Sequence, residues 1–177
     1  MARTSHAAAA RALAERDPVM AGLIDAVGLP KLRPPHETSF AALVRSIVFQ
    51  QLAGAAASTI HGRLVALLDD DVSPAAILAE TDEALRGVGL SGNKMASIKD
   101  LAAKVEDGTV VLDPRGIARE SDDEVIARLT MVRGIGRWTA EMFLIFQLRR
   151  LDVWPARSPC GRRGPPSATR RGGAAGR

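Results

Sequence analysis

The chain has 177 residues, of which 46% are hydrophobic, 25% are charged and 3% are aromatic, the balance of a soluble globular protein with one or at most two domains. Its one cysteine, Cys160, excludes a disulfide framework, a four-cysteine zinc site and a four-cysteine iron–sulfur cluster, and no run approaches the ~20 apolar residues of a membrane span. The net charge of +4 hides an uneven distribution, because residues 1–155 carry 18 Lys and Arg against 20 Asp and Glu, so overall basicity does not by itself indicate a nucleic-acid partner.

Helix-start signals follow one another along the chain, and the apolar residues after each signal recur at helical spacing. Asp17-Pro18 predicts the start of a helix that ends at Gly28. The side chains of this helix expected to face inward are Met20, Leu23, Ile24 and Val27. Thr38-Ser39 predicts a longer helical stretch, whose small residues 53–57 let helices approach closely. Its apolar stripe comprises Phe40, Leu43, Val44, Ile47 and Val48, and resumes at Ile60, Leu64, Leu67 and Leu68.

The second half of the chain continues in the same way. Ser73-Pro74 and Thr81 cap two short helices, and a glycine-containing region separates them from a helix near residues 94–105. Residues 109–115 predict an extended link that ends in a proline turn. A capping box at residues 121–124 precedes Val125, Ile126 and Leu129, and residues 137–149 predict the last strong helix. The pattern as a whole predicts an all-α fold.

The composition changes abruptly after Pro155. Residues 156–177 contain six Arg, five Gly and three Pro, with no acid and no Ile, Leu, Val, Met or Phe. Such a segment cannot bury enough apolar surface to offset its chain entropy. The sequence therefore predicts one helical domain at residues 1–155, followed by a disordered basic tail at residues 156–177.

The most informative segment is residues 129–142, where Gly134-Ile135-Gly136 lies between two amphipathic helices. Glycines permit a tight turn and leave main-chain N–H groups bare at the start of the second helix, where the helix dipole is positive. A phosphate oxygen can be held there without any side chain. An ordinary turn that uses glycine only for its geometry is the alternative. Ile135 is expected to anchor the turn in the core.

Four stretches of the chain together resemble the DNA-3-methyladenine glycosylase II family, within the helix-hairpin-helix superfamily of base-excision DNA glycosylases. The stretches are residues 40–64, which contain Phe49-Gln50-Gln51-Leu52; residues 85–90 with Lys94; the hairpin at residues 132–140; and Leu151-Asp152-Val153-Trp154-Pro155. They occur in the family's order and cover roughly residues 38–155.

The resemblance implies a two-lobed, all-α glycosylase domain that flips a damaged base into the cleft between its lobes. The hairpin, through Arg133, Gly134, Gly136 and Arg137, would hold the DNA backbone, with a monovalent cation on hairpin carbonyls and no other cofactor or side-chain metal site. Gln51 and Leu52 match the loop that inserts an apolar wedge into the gap left by the flipped base, although Leu52 could instead be a core residue. Trp138 and Met142 match the base pocket, with core packing as the alternative for Trp138.

The same resemblance bears on the chemistry. The lyase branch of the superfamily places a lysine where this chain has Trp138, so the implied reaction is monofunctional hydrolysis of the N-glycosidic bond of an alkylated base. The position that matches the family's catalytic Asp is Ser158, so no catalytic residue is assigned. Asp152 matches a non-catalytic position. The Arg- and Gly-rich ending indicates a frameshift that removed the catalytic Asp and the helix that closes the C-terminal lobe.

The function predicted from these residues is base-excision repair of damaged double-stranded DNA by a monomeric hydrolase, impaired by the loss of its catalytic acid. The expected location is the cytoplasm, with the nucleoid if the cell is bacterial, and no membrane partner is expected. Two alternatives remain: a non-catalytic helix-hairpin-helix DNA-binding module, and a non-functional truncated product.

Overall fold

The computed structural model describes residues 5–155, which form ten α-helices and no strand. The helices are α1 His6–Ala14, α2 Pro18–Val27, α3 Ser39–Phe49, α4 Gly54–Leu67, α5 Pro74–Ala79, α6 Asp82–Gly87, α7 Gly92–Glu106, α8 Pro114–Ile117, α9 Asp122–Thr130 and α10 Arg137–Phe146. The all-α prediction is confirmed for this part of the chain. The predictions of a disordered tail, of a serine at the acid position, of a missing closing helix and of a frameshift concern residues 156–177, which lie outside the described residues.

The helix starts expected from the sequence occur where the capping residues stand. The Asp17 carboxylate accepts hydrogen bonds from the N–H groups of Val19 and Met20, and Ser121 forms a complete capping box with Glu124. Gly28 ends α2 at a positive φ of 80°, a conformation that glycine adopts without steric cost. None of the described helices combines the length and apolar character needed to span a membrane.

One core cluster of buried side chains extends from α3 to α10. The predicted stripe of α3 is buried in it, and Ile135 in the hairpin is buried as expected. The largest side chains with almost no exposed surface are Leu43, Ile47, Leu64, Ile77, Leu85, Ile98, Leu101, Ile117, Leu129 and Leu144. Because α3, α7, α9 and α10 all contribute, the elements that carry the site described below share a single core.

The inward face predicted for α2 is wrong. No residue of this helix is buried; Leu23 is half-exposed and the Val27 side chain is 82% exposed. The helix packs against α1, which is mostly alanine, and neither helix contributes a side chain to the core cluster. Helical periodicity identifies an apolar face, but it does not identify a partner that covers it.

Two other boundaries differ from the prediction. The last helix ends at Phe146 rather than Arg149, because Arg149 adopts a left-handed φ of 56° and the chain turns back, with the Arg150 N–H bonded to the Leu144 carbonyl. Where the sequence predicts a proline turn, Pro114 is instead the first residue of α8, and the Asp113 side chain caps that helix. The link before it is anchored by Val110, which is fully buried.

We predict that Leu43→Ala lowers the free energy of unfolding by about 2–5 kcal/mol, because Leu43 is fully buried in the core and its truncation leaves a cavity there. Leu23→Ala removes the same atoms from the exposed face of α2 and should change stability by less than about 0.5 kcal/mol. Urea denaturation followed by circular dichroism measures both. Equal losses would show that α2 is covered in solution.

Candidate nucleic-acid interface

The helix-hairpin-helix consists of α9, a tight turn at residues 131–136, and α10. Val132 and Ile135 are buried beneath the turn, and the Ile135 N–H bonds to the Val132 carbonyl at 3.1 Å. Gly134 has a φ of 76°, and a Cβ added to it would lie 2.5 Å from the Ser97 hydroxyl oxygen on α7. Both the backbone conformation and the close approach therefore require glycine at position 134.

The start of α10 has no side-chain cap. Gly136 is its N-cap residue, so no side chain accepts a hydrogen bond from the first-turn N–H groups. Eight of the ten described helices have such a side-chain acceptor, and besides α10 only α4 lacks one. Uncapped N–H groups at the positive end of a helix dipole can bind an anion directly.

Two side chains of helix α7 form hydrogen bonds with Arg133 of the hairpin. The Arg133 N–H donates to the Asp100 carboxylate at 2.7 Å, and the Arg133 guanidinium donates to the Asn93 side-chain oxygen at 3.3 Å. Partial burial disfavours ionisation of Asp100, but hydrogen bonds from Lys104 and from the Arg133 N–H outweigh it and hold the pKa of that carboxyl below its usual range. The anionic Asp100 side chain thus fixes the main chain of Arg133, the residue before Gly134.

Arg137 points its charge toward two carboxylates. Its Nε donates to Glu141 at 2.9 Å, and its terminal nitrogen lies 3.7 Å from Asp123. Glu141 is only 3% exposed, whereas the Arg137 side chain is 61% exposed and can still reach solvent. The positive charge nearest the start of α10 is therefore largely balanced within the protein, and the main-chain N–H groups remain as the uncompensated positive pole.

The loop between α3 and α4 presents Leu52. Gln50 leaves the helix with an extended ψ of 131°, Gln51 adopts a left-handed φ of 57°, and α4 begins at Gly54. The Leu52 side chain is 39% exposed and lies outside the core cluster. The structure thus places an apolar side chain at the surface of a short, sharply turned loop.

A direct hydrogen bond connects this loop to the hairpin. The Gln50 side-chain nitrogen donates to the Gly134 carbonyl at 3.0 Å. On the same side, Lys94 of α7 donates to the Val48 carbonyl at 2.7 Å, and burial lowers the pKa of its amine. The loop carrying Gln51 and Leu52 and the turn carrying Gly134 are therefore adjacent, as the predicted DNA-contacting set requires.

A cavity of about 940 Å³ lies between residues 32–37, α3 and α10. Trp138 and Met142, the predicted pocket residues, both line it, together with three phenylalanines and one carboxylate. These further lining residues are Phe49, Phe143, Phe146 and Glu37. The guanidinium of Arg45 lies over the Phe49 ring, 5.1 Å from its centroid. The cavity is wide enough for a nucleobase and is mostly aromatic and apolar.

His61 contacts the Phe49 ring edge-on, with 6.2 Å between the ring centroids. Burial lowers the pKa of the His61 imidazole, Glu37 opposes this effect, and Arg45 adds to it. His61 is consequently uncharged at neutral pH, so it supports the aromatic wall without adding positive charge there.

The two acids that follow the hairpin turn among the described residues, Glu141 and Asp152, do not line the aromatic cavity. Glu141 is buried against Arg137, and Asp152 lines a second cavity of about 730 Å³ beside the start of α3. Ser158 lies outside the described residues. Within residues 5–155, no group of three or more His, Cys, Asp or Glu residues could hold a metal ion.

Sequence reasoning missed the polar contacts that assemble this site. Asn93, Ser97 and Asp100 lie on α7, more than thirty positions before the hairpin, and no local pattern connects them with Gly134. The spacing of three and four residues between them does place them on one face of α7. That shared polar face was the one available signal.

Solved structures of known proteins resemble this arrangement. A DNA-3-methyladenine glycosidase from Bacillus halodurans matches with a TM-score of 0.72 and 38% identity, covering 80% of this chain and 64% of that one. The 3-methyladenine DNA glycosylase Mag1 of Schizosaccharomyces pombe, solved with abasic DNA, matches with a TM-score of 0.71 and 32% identity, covering 85% of this chain and 75% of that one. The chain belongs to the DNA-3-methyladenine glycosylase family.

The family assignment also confirms the helix-hairpin-helix fold; the subgroup numbered II stays a prediction. DNA-3-methyladenine glycosylase 1 of Schizosaccharomyces pombe is 38% identical over 116 residues, 64% of this chain and 50% of that protein. The Saccharomyces cerevisiae DNA-3-methyladenine glycosylase is 35% identical over 129 residues, 67% of this chain and 42% of that protein. This member of the glycosylase family spans about half the length of those curated relatives. The sequence matches no protein-family profile.

We predict that Gly134→Ala lowers the stability of this glycosylase-family domain by about 1–3 kcal/mol, because the new Cβ meets Ser97 while the backbone stays left-handed. Gly136→Ala is the matched control: its φ is −91° and an added Cβ meets nothing within 4 Å. Thermal melting of both variants measures the difference. Similar melting temperatures would mean that the hairpin can move away from α7 at little cost.

Proposed function

We propose that this chain binds damaged duplex DNA as a monomer and receives an extruded alkylated base in the aromatic cavity, as part of base-excision repair. The observation that carries the proposal is the adjacency of three elements: the uncapped start of α10, the exposed Leu52 loop and the cavity lined by Trp138 and Met142. Its family relative Mag1 was solved in complex with abasic DNA, which supports the same partner for this chain.

Phosphate binding would rest chiefly on main-chain groups. The first-turn N–H groups of α10 have no side-chain acceptor, and Gly136 leaves room for a phosphate to approach. Arg133 and Arg137 lie beside them and add positive charge, although each already has a partner in the protein. Such contacts fix the position of the DNA without reading its sequence.

Base recognition would rest on stacking. A base within a duplex cannot reach a catalytic pocket, so it must be extruded, and Leu52 is exposed where an apolar side chain could fill the resulting gap. Alkylation at a ring nitrogen makes a purine cationic or electron-poor. Trp138 would offer an electron-rich face to such a base, whereas the Phe49 ring already has the Arg45 guanidinium over it. The Glu37 carboxylate in the same cavity favours a cation, and the Arg33 and Arg45 side chains that also line the cavity oppose it.

The chemistry would be hydrolysis of the N-glycosidic bond. Water adds to the sugar carbon as the bond to the base breaks; the electron pair of that bond leaves with the cationic alkylated base, which departs neutral, and the proton lost by the water passes to solvent. Trp138 has no amine, so the chain cannot form a Schiff base at that position and the abasic strand should stay intact. Ser158 at the family's acid position cannot stabilise the positive sugar of the transition state, and loss of one such charge typically costs ~10²–10³ in rate.

We also propose that hairpin carbonyls bind a monovalent cation. The Val132 and Gly134 carbonyl oxygens each accept one hydrogen bond, from Ile135 and Gln50, and keep a second lone pair. Neutral oxygen ligands suit such an ion, which would add positive charge beside a phosphate. Replacing K⁺ by tetramethylammonium at constant ionic strength should weaken DNA binding, whereas unchanged affinity would contradict a bound cation.

We predict that Gly136→Asp weakens binding to a 20-base-pair duplex at least about tenfold at moderate salt, because the carboxylate faces the bound phosphate. Gly136→Ala controls for the side chain itself, and Gly22→Asp in α2 controls for the added charge. Both controls should bind within about twofold of the unmodified chain. Fluorescence anisotropy gives the affinities. If Gly136→Asp also binds normally, the hairpin is only a structural turn.

The unmodified chain should release 3-methyladenine from methylated DNA very slowly, and Ser158→Asp should recover only part of the ~10²–10³ expected for a well-placed charge, because the helix that positions the family's carboxylate is also predicted to be missing. Base release by chromatography and strand integrity on a denaturing gel are the two measurements. Equally fast release by both proteins would show that another acid, such as Asp152 or Glu141, does the work. Binding without release by either protein would instead support the non-catalytic DNA-binding alternative, which Ser158 favours.

A further inference from the structure

Three parts of the molecule meet in one set of polar contacts: the end of α3, residues 93–100 of α7 and the hairpin. Lys94 of α7 donates to the Val48 carbonyl, and Asn93 and Asp100 of α7 accept from Arg133 of the hairpin. Gln50 connects the end of α3 directly to the hairpin, because its side chain donates to the Gly134 carbonyl at 3.0 Å. Among the described residues, Gln50 is the one side chain that forms a hydrogen bond between the α3–α4 loop and the hairpin.

The hydrogen bond from Gln50 to the hairpin is made two residues before Leu52 in the chain. Gln50 is the last residue before the chain turns, Gln51 follows in a left-handed conformation, and Leu52 comes next at the surface. A non-glycine residue is held at positive φ only when its surroundings over-determine it. Here the side chain of Gln50, just before Gln51, is bonded to the hairpin, and α4 begins at Gly54, two residues after Leu52.

The contact also fixes a peptide plane of the hairpin. The Gly134 carbonyl points to Gln50, while the N–H on the other end of the same peptide, that of Ile135, points to the Val132 carbonyl. Both ends of this peptide are therefore bonded, immediately before the N-cap Gly136. One side chain thus constrains both the loop that presents Leu52 and the turn that leads into α10.

We propose that Gln50 is a positioning residue that sets the Leu52 side chain at a fixed distance from the phosphate-binding start of α10. This inference rests on the proposed function, because it gives Leu52 the role of an inserted wedge. Rigid coupling matters there: the phosphate contact defines where the DNA backbone lies, and Leu52 fills the gap of an extruded base only if its loop is held relative to that contact.

The test compares two 20-base-pair duplexes of one sequence, one undamaged and one with a tetrahydrofuran abasic analogue beside 2-aminopurine. Anisotropy gives the affinity for each, and 2-aminopurine fluorescence reports filling of the gap. The variants are Gln50→Met, which keeps the side-chain length but cannot donate, Leu52→Ala, and the double variant. Lys99→Met removes a bond to a main-chain carbonyl, that of Glu80, together with the ion pair to Asp82, away from the hairpin.

We expect Gln50→Met to lower the preference for the abasic duplex by about two- to tenfold, the range of a single lost hydrogen bond, and to reduce the fluorescence change. Affinity for the undamaged duplex, which does not depend on Leu52, should fall less than affinity for the abasic duplex, and Lys99→Met should retain the full preference. Because Gln50 acts through Leu52, the double variant should be no worse than Leu52→Ala. A loss of folding by Gln50→Met is checked by circular dichroism, and Gln50→Glu then serves as the second donor-removing variant.

Two results would overturn the inference. If Leu52→Ala abolishes the preference but Gln50→Met and Gln50→Glu do not, or if the losses are additive, Gln50 does not position Leu52 and the proposed function still stands. If the unmodified chain itself shows no preference for the abasic duplex and Leu52→Ala changes nothing, Leu52 is no wedge, and the proposed function fails together with the positioning role.

Discussion

The close approach of the hairpin to α7 is the constraint on which the site depends. Gly134 lies so near the Ser97 hydroxyl that a Cβ has no room, and its left-handed backbone turns the chain into α10. The buried Ile135 side chain holds the turn from below. With these contacts fixed, the first turn of α10 starts at the surface with Gly136 as its cap, and its N–H groups stay free of side-chain acceptors.

This arrangement explains how a domain without excess positive charge could hold the proposed phosphate site. Residues 1–155 carry slightly more acid than base, Arg137 is shared between Glu141 and Asp123, and Arg133 is tied to α7. The side-chain charges close to the turn therefore largely cancel. What remains is the helix dipole and a row of main-chain donors, whose strength does not depend on the overall charge of the protein.

The sequence predicted the local features well, because each depends on a few neighbouring residues. Capping by Asp17 and Ser121, the apolar stripe of α3 and the turn at Gly134 all follow from local preferences of backbone and side chain. The errors arose where a distant partner decides the outcome. Periodicity could not reveal that Val27 faces solvent, and nothing near Arg149 indicated its left-handed turn.

The candidate site shows the same division. Trp138, Met142 and the hairpin glycines were assigned from the family resemblance, and Trp138 and Met142 line the aromatic cavity, but the contacts from Gln50 and Asp100 that hold these elements together bridge 84 and 33 positions of sequence. Such contacts leave no local signature, since a glutamine or an aspartate on a helix surface is compatible with many partners or none.

Recognition and chemistry are also separable in this molecule. The hairpin, the Leu52 loop and the aromatic cavity are built from α3, α7 and α10 around one core, so the groups proposed to bind DNA are fixed by the fold itself. In the proposed function Ser158 takes the family's acid position, and Glu37 is the one carboxylate among the described residues that line the cavity. Binding would then depend on main-chain donors and aromatic surface, whereas rate would depend on a single charge, so the loss of that charge would remove stabilisation of the transition state and leave the recognition of DNA intact.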